Sequence, residues 1–137
     1  MTGEVVDGGR WRKEKHGFQS LPLYARPNSL IAWGRRDHRP DYDFADGAVF
    51  AAYALDERAE ASASIIAASG SEMLRLSIRR DGAVIDAIAN VPDRIWSLRL
   101  PVGMRATGTE GETLAIEEGA HFEVKARGSV RIACHSV

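Results

Sequence analysis

Three pairs of carboxylates are the first residues in this sequence with the types and spacing for chemistry: Asp41 with Asp43, Asp56 with Glu57, and Glu117 with Glu118. Two carboxyl groups flanking a cleft can serve as acid and nucleophile in the hydrolysis of a glycosidic bond. Neighbours on an extended strand point to opposite faces, so Glu117 and Glu118 cannot converge there. Asp41 and Asp43 can share a face. They stand beside Arg35, Arg36 and Arg39, so the simpler reading is a charge-paired linker. The histidines His16, His38, His121 and His135 are scattered, and no second His or Cys lies at ligand spacing. His121 and His135 could still meet across neighbouring strands. Cys134 alternates with Val130 and Ile132, which makes it a core residue rather than a nucleophile. No metal or other cofactor is expected. The segment Gly108 to Gly111 lacks the lysine and the strand–helix setting of a phosphate loop. Trp11, Trp33, Tyr24, Tyr42 and Tyr53 offer ring faces on which sugars could stack. Of these, Trp11 and Tyr42 are the candidates for a sugar platform, because Trp33 and Tyr53 sit in apolar patterns that imply burial.

The elements that must position these groups are strands. Val49 to Leu55 and Glu60 to Ala67 are strand-length; the second has enough alanine for a short helix, but its Ser-Ala alternation and Ile65-Ile66 favour a strand. Met73 to Arg80 alternates plainly, with Leu74, Leu76 and Ile78 on one face. Asp81-Gly82 then separates it from Ala83 to Ala89, a hairpin signal because a tight turn needs positive φ. Arg94 to Leu100, Thr113 to Glu117, His121 to Lys125 and Ser129 to Cys134 complete the series, with turns expected at Glu118-Gly119 and Arg127-Gly128. The expected fold is all-β, an antiparallel β-sandwich.

Composition sets limits around that fold. The chain has 137 residues, 45% apolar and 27% charged, ordinary for a globular domain. Its net charge of −1, from 18 basic and 19 acidic residues, supplies no field for nucleic acid or an anionic membrane. A single cysteine excludes an internal disulfide and fits a reducing compartment. No apolar run reaches the roughly 18 residues of a membrane span, and Met1 to Gly9 lacks the form of a signal peptide. A cytoplasmic protein, or a piece of one, is expected, with no nucleic-acid or membrane partner.

Before the regular strands stands "SLPLYARPNSLIAWGRRDHRPDYDF", Ser20 to Phe44. It holds two apolar runs, Leu21 to Arg26 and Ser29 to Trp33. Pro22 and Pro27 exclude a central helix there. A knot of opposite charges, Arg35 to Asp43, follows. This stretch resembles the junction between the two C-terminal β-domains of glycoside hydrolase family 31, in particular the bacterial α-xylosidases. The "LPLY-R" strand and the apolar strand after it are similar to the end of the proximal sandwich, and "RPDY" to the linker into the distal one. "GGRW…H…F" resembles the last turns of the proximal domain. The similarity is sharp over Gly8 to Gly47; over Ala48 to Val137 length and strand pattern agree.

The resemblance implies residues 1–38 as the tail of a proximal β-domain with the start of the linker, and 39–137 as the distal sandwich. It implies a parent that hydrolyses α-xylosidic or α-glucosidic bonds with two aspartates on a (β/α)8 barrel. No catalytic residue carries over, because no position here matches a catalytic motif. The expected role is therefore non-catalytic: scaffold, domain packing or oligomer contact, with the barrel as partner and a second copy at an open sheet edge. Arg26, Pro27, Arg39, Pro40, Asp41 and Tyr42 would be structural linker residues. Arg26 would anchor a carboxylate or carbonyls, and Pro27 would set a turn. A carbohydrate-binding module using exposed aromatics is the alternative.

Overall fold

A computed structural model describes residues 4–36, 38–39 and 41–136. Every regular element among them is a strand: β1 (Ser29–Trp33), β2 (Val49–Tyr53), β3 (Glu60–Ile66), β4 (Glu72–Asp81), β5 (Val84–Ala89), β6 (Ile95–Arg99), β7 (Met104–Glu118) and β8 (Phe122–Ser136). Among the described residues no helix is long and apolar enough to cross a membrane.

The all-β expectation holds, and the pairing shows how two layers arise from one sheet. The strand order is β1-β2-β6-β8-β5-β4-β3, with β7 also on β8. β7 runs along one edge of β8 for almost its whole length, from Met104↔Ser136 to Glu118↔Phe122. The other edge of β8 is shared: β5 pairs with residues 129–133 and β6 with residues 123–127. The β7–β8 hairpin thus belongs to two sheets. One is β3-β4-β5-β8-β7 and the other β1-β2-β6-β8-β7. Strands that pass from one layer to the other at a bend are a standard way to make such a corner. At the opposite side β1 and β3, the outer strands of the two sheets, approach each other, which nearly closes the sheet on itself.

Arg127-Gly128, expected as a turn between two strands, is that bend. Gly128 has φ +64, and β8 continues through it. The β7 register slips opposite it, between Gly111 and Thr113. One pair is parallel: β2 lies beside β6 with Phe50↔Leu98. β1 pairs antiparallel with β2 over its full length, Ser29↔Tyr53 to Trp33↔Val49, so this apolar run joins the sandwich that follows it. Leu21 to Arg26, by contrast, forms no strand.

Period-two alternation explains the core. Leu74, Leu76 and Ile78 of β4, Ile85 and Ala87 of β5, Trp96 and Leu98 of β6, and Val124, Ala126, Val130, Ile132 and Cys134 of β8 all face inward and are buried. Phe50 of β2 and Leu30 of β1 join the same cluster. At roughly 25 cal/mol per Å2, each large side chain removed from water contributes about 1.5–3 kcal/mol. The β4–β5 hairpin closes through Gly82-Ala83, with Asp81↔Val84 as its last pair and Gly82 at φ +57.

Candidate functional site

Residues 4–28, before β1, carry no regular structure and leave most of their large apolar groups in water. Trp11 and Phe18 are fully exposed, and Leu21, Leu23 and Tyr24 are mostly so. The arm is held by polar contacts. Glu14 accepts from the Tyr24 hydroxyl at 2.7 Å and pairs with Arg12 and His16. The Tyr24 bond is the main reason the Glu14 carboxyl is held below its usual range. Such a run of exposed apolar groups is surface that a partner normally covers.

The turn into β1 is built by Pro27 and Asn28. Asn28 has φ +57, and its side chain both donates to Asp56 Oδ2 and accepts from the Asp56 N–H, each at 2.7 Å. The Arg26 carbonyl accepts from the Ser29 hydroxyl, while the Arg26 side chain is exposed.

Between β1 and β2 lies the charge knot. Arg39 Nε pairs with Asp41 Oδ1 at 3.3 Å, but Asp41 is 82% exposed, so by itself this pair contributes little to stability. Pro40 lies outside the described residues. Tyr42 is half-buried: its ring meets Phe44 edge-on at 5.1 Å, Arg36 lies over its face at 5.9 Å, and its hydroxyl occupies the space a Cβ at Gly34 would take. The tie that reaches the sandwich is one the sequence reading did not single out. Arg94, just before β6, donates to Asp43 Oδ2 at 2.7 Å, while Asp43 Oδ1 accepts from the Ala45 N–H. Ala45 and Ala48 beyond it are fully buried.

Asp43 is therefore committed to an ion pair and a backbone hydrogen bond rather than poised as a general acid. A general acid needs a carboxyl whose pKa is raised. The Arg94 hydrogen bond, followed by the Ala45 and Asp46 backbone donors, pushes Asp43 below its ordinary value against the opposing effect of burial. A depressed folded-state pKa contributes stability above the unfolded value, and that contribution is lost as pH falls through the folded one. The pair is partly exposed, so about 0.5 kcal/mol is expected. Urea midpoints from pH 6 down to pH 2 should fall more steeply in the wild type than in Asp43→Asn below about pH 4. Parallel curves would show that the Arg94 bond contributes nothing.

The other candidates separate in space. His121 precedes β8 and His135 lies near its far end, so they do not meet. Among the described residues no three His, Cys, Asp or Glu side chains are grouped to hold a metal ion. Cys134 is buried on the inward face, and burial pushes its thiol pKa up. Trp96 is fully buried, as alternation predicts, and Trp33 is 38% exposed.

A concavity of about 900 Å3 lies on the outer face of the β3-β4-β5-β8-β7 sheet. Five charges from five strands cross it in register: Glu60↔Arg79, Arg79↔Asp86, Asp86↔Arg131 and Arg131↔Glu110. Arg131 meets Asp86 at 2.7 Å and Arg79 meets Glu60 at 3.5 Å. The next row is short: Ser62↔Ser77, Ser77↔Ile88 and Ile88↔Ser129. Beyond it Glu72 accepts from the Ser64 hydroxyl and from Arg75, each at 2.7 Å, and from Asn90 at 3.0 Å.

Comparison with known proteins follows this geometry. A sequence model of the family described as "Alpha-xylosidase YicI, C-terminal domain" matches residues 43–135. An alpha-xylosidase of Emericella nidulans is 38% identical over 45 residues, which are 33% of this chain and 6% of that protein. The match thus spans a small fraction of that relative's length.

Proposed function

The chain belongs to the alpha-xylosidase C-terminal domain family, and from that premise we propose that it is the non-catalytic C-terminal β-sandwich of a glycoside hydrolase family 31 α-glycosidase. Its role is structural: it packs against the (β/α)8 barrel of an enzyme that hydrolyses α-xylosidic or α-glucosidic bonds. The observation that carries this reading is the family match over the sandwich, joined to an amino-terminal arm whose Trp11, Phe18 and Leu21 stand in water. Residues up to 38 are then the tail of a preceding β-domain, with β1 lent to the sandwich. Arg39, Pro40, Asp41 and Tyr42 form the linker that sets its angle. A homo-oligomer through the outer edge of β1 and a cytoplasmic setting, which the lone cysteine accords with, belong to the same proposal.

The test mixes the purified chain with an α-xylosidase catalytic module lacking its own C-terminal sandwich. Co-elution is expected for the wild type and is lost when Trp11, Phe18 and Leu21 are changed together to serine. The chain alone should not hydrolyse an aryl α-xyloside. Hydrolysis that disappears in Asp41→Asn, or a mixture that never co-elutes, would sink the reading.

A second reading rests on the full exposure of Trp11: a carbohydrate-binding module using that ring and Tyr42. Sugar binding abolished by Trp11→Ala would favour it.

A further inference from the structure

The outer face of the β3-β4-β5-β8-β7 sheet is a trough by construction. Serines 62, 77 and 129 form a row of short side chains between the charged ladder and the row of Ser64, Arg75 and Asn90. Long side chains stand on both sides of a low floor. Ile88, 55% exposed, is the one apolar side chain in that floor. Neither Ser62, Ser77 nor Ser129 spends its hydroxyl on a hydrogen bond to the ladder; the arginines there pair with carboxylates instead.

The ladder's charges decide among occupants. Read across the sheet they run minus, plus, minus, plus, minus: Glu60, Arg79, Asp86, Arg131, Glu110. The two arginines are already paired, so a polyanion such as nucleic acid or an anionic membrane finds no spare positive charge. A second copy docked by a two-fold axis centred on Asp86 in the plane of the face fares no better. The sequence of signs is the same in both directions, so an in-register dyad sets each charge against its own kind.

A neutral, hydroxyl-rich chain suits the same pattern. Each sugar hydroxyl can donate and accept, and the ladder alternates carboxylate acceptors with guanidinium donors at the strand spacing of about 4.8 Å. Hydrogen bonds to charged groups are the stronger kind. Serine hydroxyls adapt to either role, and Ile88 offers an apolar surface to the C–H face of a pyranose. Four strand spacings make the trough about 19 Å long, the reach of a short oligosaccharide. Its volume of about 900 Å3 falls within the range of ligand clefts.

We propose that this trough binds a neutral oligosaccharide lying across the strands, held by Arg79, Asp86 and Arg131 along one side and seated on Ser77, Ile88 and Ser129. The site is separate from the amino-terminal arm and from the linker, so it stands whether or not those surfaces dock a barrel. It also differs from a platform at Trp11.

Native gels containing soluble xyloglucan or soluble starch test it with the full chain. At least one polysaccharide should retard the wild type. Arg131→Ala should weaken the retardation about ten-fold, and Ser77→Phe, which fills the trough without touching a charge, should do the same. Trp11→Ala should run like the wild type. Thermal melts identify a variant that has lost its fold, and the other trough variant then decides. Three results would overturn the proposal: retardation by neither polysaccharide, which leaves the face to a protein partner; equal retardation of the folded trough variants and the wild type; or loss of retardation in Trp11→Ala. Co-elution of Ser77→Phe with the catalytic module as for the wild type separates this outcome from failure of the docking role.

Discussion

Trp96→Ala is expected to destabilise the sandwich by about 3–5 kcal/mol, the cost of deleting a large, wholly enclosed aromatic side chain. Trp96 is fully buried on the inward face of β6, opposite Ala126 of β8. Its indole N–H donates to the Gly128 carbonyl at 3.2 Å, at the point where β8 bends from one sheet to the other. The ring therefore fills the core and also satisfies a backbone acceptor that the bend removes from the ladder. Alanine leaves both a cavity and an under-satisfied carbonyl. Whole-domain stabilities are about 5–15 kcal/mol, so the variant should be marginal or unfolded at room temperature. Trp96→Phe keeps most of the packing and loses the hydrogen bond, for about 1–2 kcal/mol. Urea denaturation of the three proteins checks this. A midpoint for Trp96→Ala within a few tenths molar of the wild type would show that the corner does not depend on the ring.

That corner marks where the sequence was readable and where it was not. The β4–β5 hairpin is local: alternation in Met73 to Arg80, then Asp81-Gly82, specify both strands and place their turn to within one residue. The signal sits one residue early, however: the loop is Gly82-Ala83, which sets Arg79 opposite Asp86, whereas a loop at Asp81-Gly82 would have set it opposite Val84. β8 is different. Its apolar positions keep one phase from Val124 to Cys134. Arg127-Gly128 interrupts the pattern with a residue type that serves turns and bends alike, so one strand reads as two. The first half of β7 is hidden for another reason. Its inward positions after Met104 are small or polar, Ala106 and Thr109, and the bulk on that face comes from Cys134 and Ile132 of β8 beside it; periodicity has nothing apolar to detect.

The candidate site was less visible still. Glu60, Asp86, Glu110 and Arg131 are unremarkable strand charges until non-local register lines them up. Asp43 was noted only as half of a carboxylate pair, since its partner Arg94 lies 51 residues away. The resemblance was sharpest before the sandwich, whereas the family match covers residues 43–135. Short junction motifs are carried by turns and prolines, which a reader can see. A sandwich is specified by the summed pattern of many strands, which only a whole-length comparison collects.

Gly111→Ala is expected to disrupt the same corner from the other strand. Gly111 has φ +113, a conformation that side-chain-bearing residues rarely adopt. A Cβ there would also stand 2.6 Å from the Ser129 carbonyl oxygen, a backbone atom that cannot swing aside. The strained φ alone costs about 1–3 kcal/mol. Relief of the clash must push β7 away from β8 where the register already slips between Gly111 and Thr113. A total loss of about 2–4 kcal/mol is therefore expected, within the range of severe single substitutions. Gly108 is the control on the same strand, because a Cβ there meets nothing within 4 Å. Gly108→Ala should change the urea midpoint little. The prediction fails if the two variants unfold alike. It holds if Gly111→Ala alone loses stability and hydrogen-exchange protection at residues 129–131, the backbone its new methyl group would displace.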